Sequence, residues 1–183
     1  MKTVRAYKKQ RQNARLPVRL SCIAVKTSAD RRTVSRLAGR IWNEHYVPLI
    51  GRKQVDYRLA RFQSPAAVTA QTREGYKYYL LRSGRTYIGY LAVIARPREQ
   101  ILFISKLYVR SSRRGLGFGA QAVAFIERLA RRRCLGRLAL TVNRHNIGSQ
   151  RFYRRCGFVR GGSIRTDIGE GFVMDDFRME KTL

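Results

Sequence analysis

The sequence predicts an α/β fold of the α+β kind, built as one domain, and three observations carry that reading. At 183 residues the chain is long enough to bury a proper core and short of the size at which cores split. Its 44% hydrophobic and 10% aromatic content belongs to a globular chain rather than a disordered one. Strand-like runs also alternate with stretches of helical period. The clearest case is residues 101–109, a β-branched and aromatic run, followed by a basic turn with glycine at 115, 117 and 119 and a long helical stretch over residues 120–133.

Taken in order, residues 1–21 read as a basic, flexible extension without apolar periodicity, and residues 22–183 as the domain. Residues 22–26 form the first expected strand. Ser28 or Asp30 can cap a helix that runs to Tyr46, with Val34, Leu37, Ala38, Ile41 and Trp42 at helical spacing. Pro48 and Gly51 break it. A second helical stretch carries Val55, Leu59 and Phe62, and a short third one follows Pro65 as far as Glu74. Strands are expected over residues 76–82, 86–95 and 100–109, with Ser83-Gly84 as the first hairpin turn. Beyond the long helix come a strand over 137–142, a helix over 146–156, and two strands around Gly169-Glu170-Gly171.

Composition narrows the function. The formal charge of +28 implies attraction to polyanions: nucleic acid, an anionic membrane, or a ligand with several phosphates. Arg32, Arg36 and Arg40 recur every four residues, a row that fits plain solvation as well as phosphate binding. No apolar run approaches the ~20 residues that cross a bilayer. Arg19 interrupts the only apolar stretch after the basic start, so no cleaved signal is read. Cys22, Cys134 and Cys156 lack C-x-x-C spacing and read as packing residues of a reducing cytoplasm. With only His45 and His145 for imidazole ligands, no metal site is expected.

The turn at 115–119 carries the chemistry. Its glycines let the backbone approach a ligand, and because it opens a helix, unpaired N–H groups and the positive end of the helix dipole point there. That is a cradle for a phosphate or pyrophosphate, with Arg113 and Arg114 adding charge. A P-loop is excluded, since Gly119-Ala120-Gln121 replaces Gly-Lys-Ser/Thr. A dinucleotide fold is excluded too: the next strand ends by Asn143 with no ribose-binding carboxylate. Taken alone, the loop also fits a tight connection without a ligand.

Arg114-Gly-Leu-Gly-Phe-Gly119 resembles the Arg/Gln-x-x-Gly-x-Gly/Ala loop of the GNAT superfamily of acetyl-CoA-dependent N-acetyltransferases. Downstream, the segment from Leu138 through Asn143-Arg-His-Asn146 and Phe152-Tyr153 to Gly157-Phe158 resembles the family's strand and Asn-x-x-Asn-x-x-Ala-x-x-Phe-Tyr-x-x-x-Gly-Phe helix, with Ser149 in the usual alanine place. Phe177 to Leu183 resembles its last strand. The resemblance implies the GNAT fold: a mixed, mostly antiparallel central sheet, flanked by helices and splayed between its fourth and fifth strands. It implies an acyltransferase that uses acetyl-CoA as cosubstrate, needs no metal, and moves acetyl to a primary amine by direct attack.

The same resemblance implies site residues. Leu107, Tyr108 and Val109 would offer backbone groups to the pantetheine arm and the oxyanion. Arg114, Gly115, Leu116, Gly117, Phe118 and Gly119 would hold the pyrophosphate. Asn146 would cap its helix and touch the coenzyme, and Tyr153 would be the general acid, a phenol of pKa ~10 suited to protonating a thiolate. His145 reads as exposed. For the base, the acidic final hairpin (Asp167, Glu170, Asp175, Asp176, Glu180) offers Asp175, which shares a period-2 face with Val173, Phe177 and Met179; Glu44 is the alternative. Phe62 to Tyr79 and the Thr166-Asp167-x-Gly169 ending look most like bacterial polyamine-type members, while a protein amine is the competing acceptor. A homodimer is compatible with the chain. The contrasting reading is a basic GNAT-like module that docks on ribosomal or other nucleic acid with little catalysis.

Overall fold

The computed structural model describes residues 19–183. Among them the sheet has seven strands: β1 (Leu20–Ala24), β2 (Lys77–Ser83), β3 (Thr86–Arg96), β4 (Ile101–Val109), β5 (Arg137–Asn143), β6 (Val159–Gly169) and β7 (Phe172–Thr182). Their spatial order is β1-β2-β3-β4-β5-β7-β6. Neighbours are antiparallel except β4 and β5, which run parallel. Helices α1 (Ser28–His45), α2 (Val47–Ile50), α3 (Arg52–Gln63) and α4 (Pro65–Arg73) separate β1 from β2. Helix α5 (Phe118–Arg131) crosses from β4 to β5, and α6 (Ile147–Arg155) links β5 to β6.

The expected apolar stripe of α1 is buried in full: Val34, Leu37, Ala38, Ile41 and Trp42 pack with Val55, Val68, Tyr78, Leu80, Tyr90 and Ala92 on one face of the sheet. Phe118, Ala122, Val123, Ile126 and Ala130 of α5 cover the other face, against Leu81, Leu91, Val93, Leu102 and Leu140. Each fully buried Val, Leu, Ile or Phe among them contributes about 1.5–3 kcal/mol. Surface ion pairs such as Arg52–Asp56 contribute about 0–1 kcal/mol, so the two apolar layers hold the fold together.

Several boundaries differ from the sequence reading. The first strand begins at Leu20 rather than Cys22, pairing Leu20 with Ser83. The last residues of the expected 1–21 extension therefore belong to the sheet, and residues 1–18 lie outside the described residues. Thr27, not Ser28 or Asp30, caps α1: its Oγ1 accepts from Asp30 N (3.1 Å) while Asp30 Oδ2 accepts from Thr27 N (2.9 Å), a capping box. Pro48 sits inside the short α2, at a position where a missing N–H costs nothing. The long helix starts at Phe118, two residues early. Cys134 is exposed rather than packed, while Cys22 and Cys156 are partly buried. No described helix is long and apolar enough to cross a membrane.

What positions the site is a β-bulge in β4. Pairing with β3 passes from Val93↔Ile104 to Ala92↔Lys106, which leaves Ser105 as an extra residue. A bulge bends its strand and increases its local twist. Beyond it, Leu107 and Val109 pack toward α5, and Tyr108 packs toward α1. Pairing of β4 with β5 stops at Ile104↔Leu140, although β5 stays paired with β7 as far as Asn143↔Asp176. The outer half of β4 thus presents backbone N–H and C=O groups to a gap instead of a strand.

Candidate active site

The gap is the mouth of a cleft of about 590 Å³. Its floor is the turn before α5. Gly115 (φ 76°) and Gly117 (φ 78°) adopt left-handed conformations, and nothing crowds the place of a Cβ on either; the demand for glycine there is dihedral. Gly119 differs. A Cβ on it would lie 2.9 Å from the Phe152 ring, so its absence lets α5 close on α6. Among the described residues no carbonyl accepts from the N–H groups of residues 115–120, and Gly117 caps α5 without a side-chain acceptor. These donors can hold an anion at the positive end of the helix.

Arg113, Arg114 and Arg155 line the same end. The Arg114 side chain turns back on the protein: Nε donates to the Val109 carbonyl (3.0 Å) and one terminal nitrogen lies 3.2 Å from Nδ1 of His45. A guanidinium only donates, so Nδ1 accepts and the proton of the neutral ring sits on Nε2. That nitrogen lies 3.2 Å from Nδ2 of Asn146, itself a donor because Asn146 Oδ1 caps α6 by accepting from Ser149 N (3.1 Å). With Nδ1 accepting from Arg114, Nε2 and Nδ2 therefore touch without a hydrogen bond. His45 packs between the loop and α6 and is hydrogen-bonded to the loop. Burial first, and the Arg114 charge second, hold its imidazole below the usual 6.5.

Of the expected site residues, Leu107, Tyr108, Val109, Arg114, Gly115, Gly117, Phe118, Gly119, Asn146 and Tyr153 all line the cleft. Leu116 does not; its side chain is 52% exposed. The Phe118 ring is buried in the core, so its N–H alone faces the gap. Tyr153 is buried with its ring against Phe152 (5.0 Å) and Phe158 (5.4 Å). Its hydroxyl has no hydrogen-bond partner among the described residues, and burial pushes the phenol above its usual value.

Both expected bases fall outside the lining. Glu44 is exposed, and donation from Ser111 Oγ (2.7 Å), then from Arg40 Nε (3.1 Å), holds its carboxyl below the usual range; it braces α1 against the start of the turn. Asp175 pairs with Arg144 at 2.9 Å on the surface. The carboxylate that does enter the cleft is its neighbour Asp176, which is buried and held above the usual carboxylate value by desolvation despite donation from Thr141. The period-2 face argument chose the wrong parity, because Phe177 and Met179 point into the α5 layer and Asp176 points the other way. His145 is exposed, as expected.

Sequence reasoning gave no site role to Trp42, His45, Tyr46, Arg58 and Thr141, and passed over Asp176 within the acidic hairpin; all six line the cleft. Trp42, Tyr46 and Tyr108 form an aromatic cluster with centroids 4.5–6.2 Å apart. Only the cluster Glu44-His45-Tyr46 at a helix end hinted at it. No described group of His, Cys, Asp and Glu could hold a metal ion.

The model of the acetyltransferase (GNAT) family matches residues 40–158. No curated protein matches the chain. Among solved structures, the PaiA N-acetyltransferase of Thermoplasma acidophilum in complex with coenzyme A is 17% identical, with a TM-score of 0.70 over 90% of this chain and 99% of that one. An acetyltransferase from Thermus thermophilus is 23% identical (TM-score 0.67, covering 92% and 100%). A ribosomal alpha-N-protein acetyltransferase in complex with coenzyme A is 19% identical (TM-score 0.67, covering 91% and 97%). At these identities the likeness is one of fold.

Proposed function

The chain belongs to the GNAT acetyltransferase family, and we propose that its cleft carries out acetyl-CoA-dependent N-acetylation by direct attack of a primary amine in a ternary complex. The reading is carried by one juxtaposition: unpaired N–H donors at residues 115–120 share a cleft with a buried Tyr153 whose hydroxyl has no partner among the described residues. Acetyl-CoA supplies an activated thioester. The glycine turn and the start of α5 would grip its diphosphate, with Arg113 and Arg155 as counter-charges. Backbone groups of Leu107 to Val109 that face the gap, other than the Val109 carbonyl held by Arg114, would receive the pantetheine arm and the negative charge that develops on the carbonyl oxygen.

Tyr153 would return a proton to the departing sulfur. Its raised pKa keeps it protonated and ready at neutral pH. Asp176, rather than Glu44 or Asp175, would take the proton of the incoming ammonium, since burial lifts its basicity toward a useful range. His45 would position Arg114 rather than touch the reacting atoms. The +28 charge, displayed on exposed residues such as Arg32, Arg36 and Arg40, supports a separate attraction to polyanions, including ribosomal RNA.

The test is thiol release from acetyl-CoA over amines, amino acids, peptides and ribosomal proteins, beside calorimetry with acetyl-CoA. Tyr153→Phe should lower kcat about 10²-fold with acetyl-CoA affinity nearly unchanged. Full turnover by that variant refutes the acid assignment. Absence of any heat with acetyl-CoA refutes the whole reading.

A further inference from the structure

Arg58, on α3, is a buried cation with nothing to neutralise it. It is 7% exposed and lines the cleft. No carboxylate lies within ion-pair distance among the described residues, and none of them hydrogen-bonds its guanidinium; its close neighbour is the face of Trp42, 5.4 Å from ring centroid to guanidinium carbon. An arginine cannot escape burial by losing its proton. A buried charge without a partner is among the costliest groups a fold can carry. The guanidinium nitrogens are absent from the buried, unpartnered atoms, so they reach the cleft rather than ending inside the core.

Asp176 does not discharge it. The two sense each other's charge, yet they form no ion pair, and desolvation outweighs Arg58 in setting the Asp176 carboxyl. Cation and carboxylate therefore stand apart in one chamber, with Trp42, Tyr46, Tyr108 and Met174 as its apolar walls. A planar fork of N–H donors fits a carboxylate in two-point contact.

Resting on the acetyltransferase reading above, we propose that the acceptor is a small amine that itself carries a carboxylate, of the amino-acid type. Arg58 receives that carboxylate, and Asp176 faces the amine. Field and chemistry agree with this assignment. The cleft is lined by four arginines (58, 113, 114, 155) and one carboxylate, so a polyamine is repelled where a zwitterion is not.

Trp42 is the sole tryptophan of the chain, and it lies against Arg58, so its fluorescence reports what binds there. The experiment titrates each of the twenty amino acids, and each decarboxylated counterpart, into the coenzyme A complex while following Trp42 emission. Thiol-release kinetics are measured on the same pairs with acetyl-CoA. At least one acid should give a saturable change, with kcat/KM about 100-fold above its decarboxylated partner. Arg58→Gln should collapse that ratio toward one through KM, and Arg58→Lys should restore part of it.

Four results overturn the proposal. They are decarboxylated amines or polyamines preferred over acids, no saturable change with any acid, equal losses on acid and amine in Arg58→Gln, or a preference that survives this variant. Calorimetry with acetyl-CoA separates the two failures. If acetyl-CoA binds and only carboxylate-free amines react, the acceptor class is wrong and the acetyltransferase reading stands.

Discussion

Gly89→Ala tests whether the strand pair that carries the cleft tolerates any widening. Gly89 of β3 pairs with Val109 of β4. A Cβ on it would stand 2.1 Å from the Tyr108 carbonyl oxygen and 3.1 Å from both the Tyr108 carbonyl carbon and the Val109 Cα. All three atoms are backbone, so none can rotate away. The strands must part by about 1 Å, an overpacking strain of about 1–3 kcal/mol, and the stretched ladder bonds around the pair add about 1 kcal/mol. Alanine recovers about 0.5–1 kcal/mol through its smaller loss of backbone freedom. The net loss is about 1–3.5 kcal/mol, or roughly 2–14 °C in Tm for a chain of this length. Because Tyr108 and Val109 form the cleft wall, acetyl-CoA affinity should fall as well. Differential scanning calorimetry and a binding isotherm give both readings. A variant that melts at the wild-type Tm and binds acetyl-CoA unchanged refutes the rigid-strand argument.

Gly117→Ala should lower Tm by about 2–8 °C, from a left-handed penalty of about 1–2 kcal/mol with no steric clash to relieve. It should also weaken acetyl-CoA binding, and Gly117→Asn should be the milder change in both measurements. His45 predicts a pH effect. Its folded-state pKa lies below the ordinary 6.5, so the stability it contributes is complete above that value and is lost as pH falls through the folded pKa. Tm measured between pH 7 and 5 should therefore decline more steeply in the wild type than in His45→Gln; parallel curves would refute a contribution of His45 to the pH dependence.

The strands and helices were legible where one period ran uninterrupted. The α1 stripe from Val34 to Trp42 and the strand–glycine–helix unit were readable because each answers to a local rule. Two-sided facts were not. Asp176 and Asp175 are adjacent and chemically alike, and which one faces the cleft depends on the face each takes once β7 lies against β5 and β6. Arg58 looked like one basic residue among many in a cationic chain; only the packing of α3 over Trp42 buries it. His45 gains its meaning from Arg114 and Asn146, 69 and 101 positions away. The α1 cap lies one to three residues before the expected ones because Thr27 and Asp30 satisfy each other, a choice that several neighbouring polar residues could have made on paper.

Ser105 gives the molecule separate controls for integrity and for opening. Counting by twos from Leu102 straight through β4 would assign Lys106 and Tyr108 to the leucine-rich side, whereas the surplus residue hands them to the tyrosine side. Losing that one residue would leave every other side chain of β4 on the side it now occupies, so the interior would survive. What would vanish is the bend, and an unbent β4 could zip onto β5 beyond Ile104. The outcome would be a well-folded sheet with its mouth sewn shut.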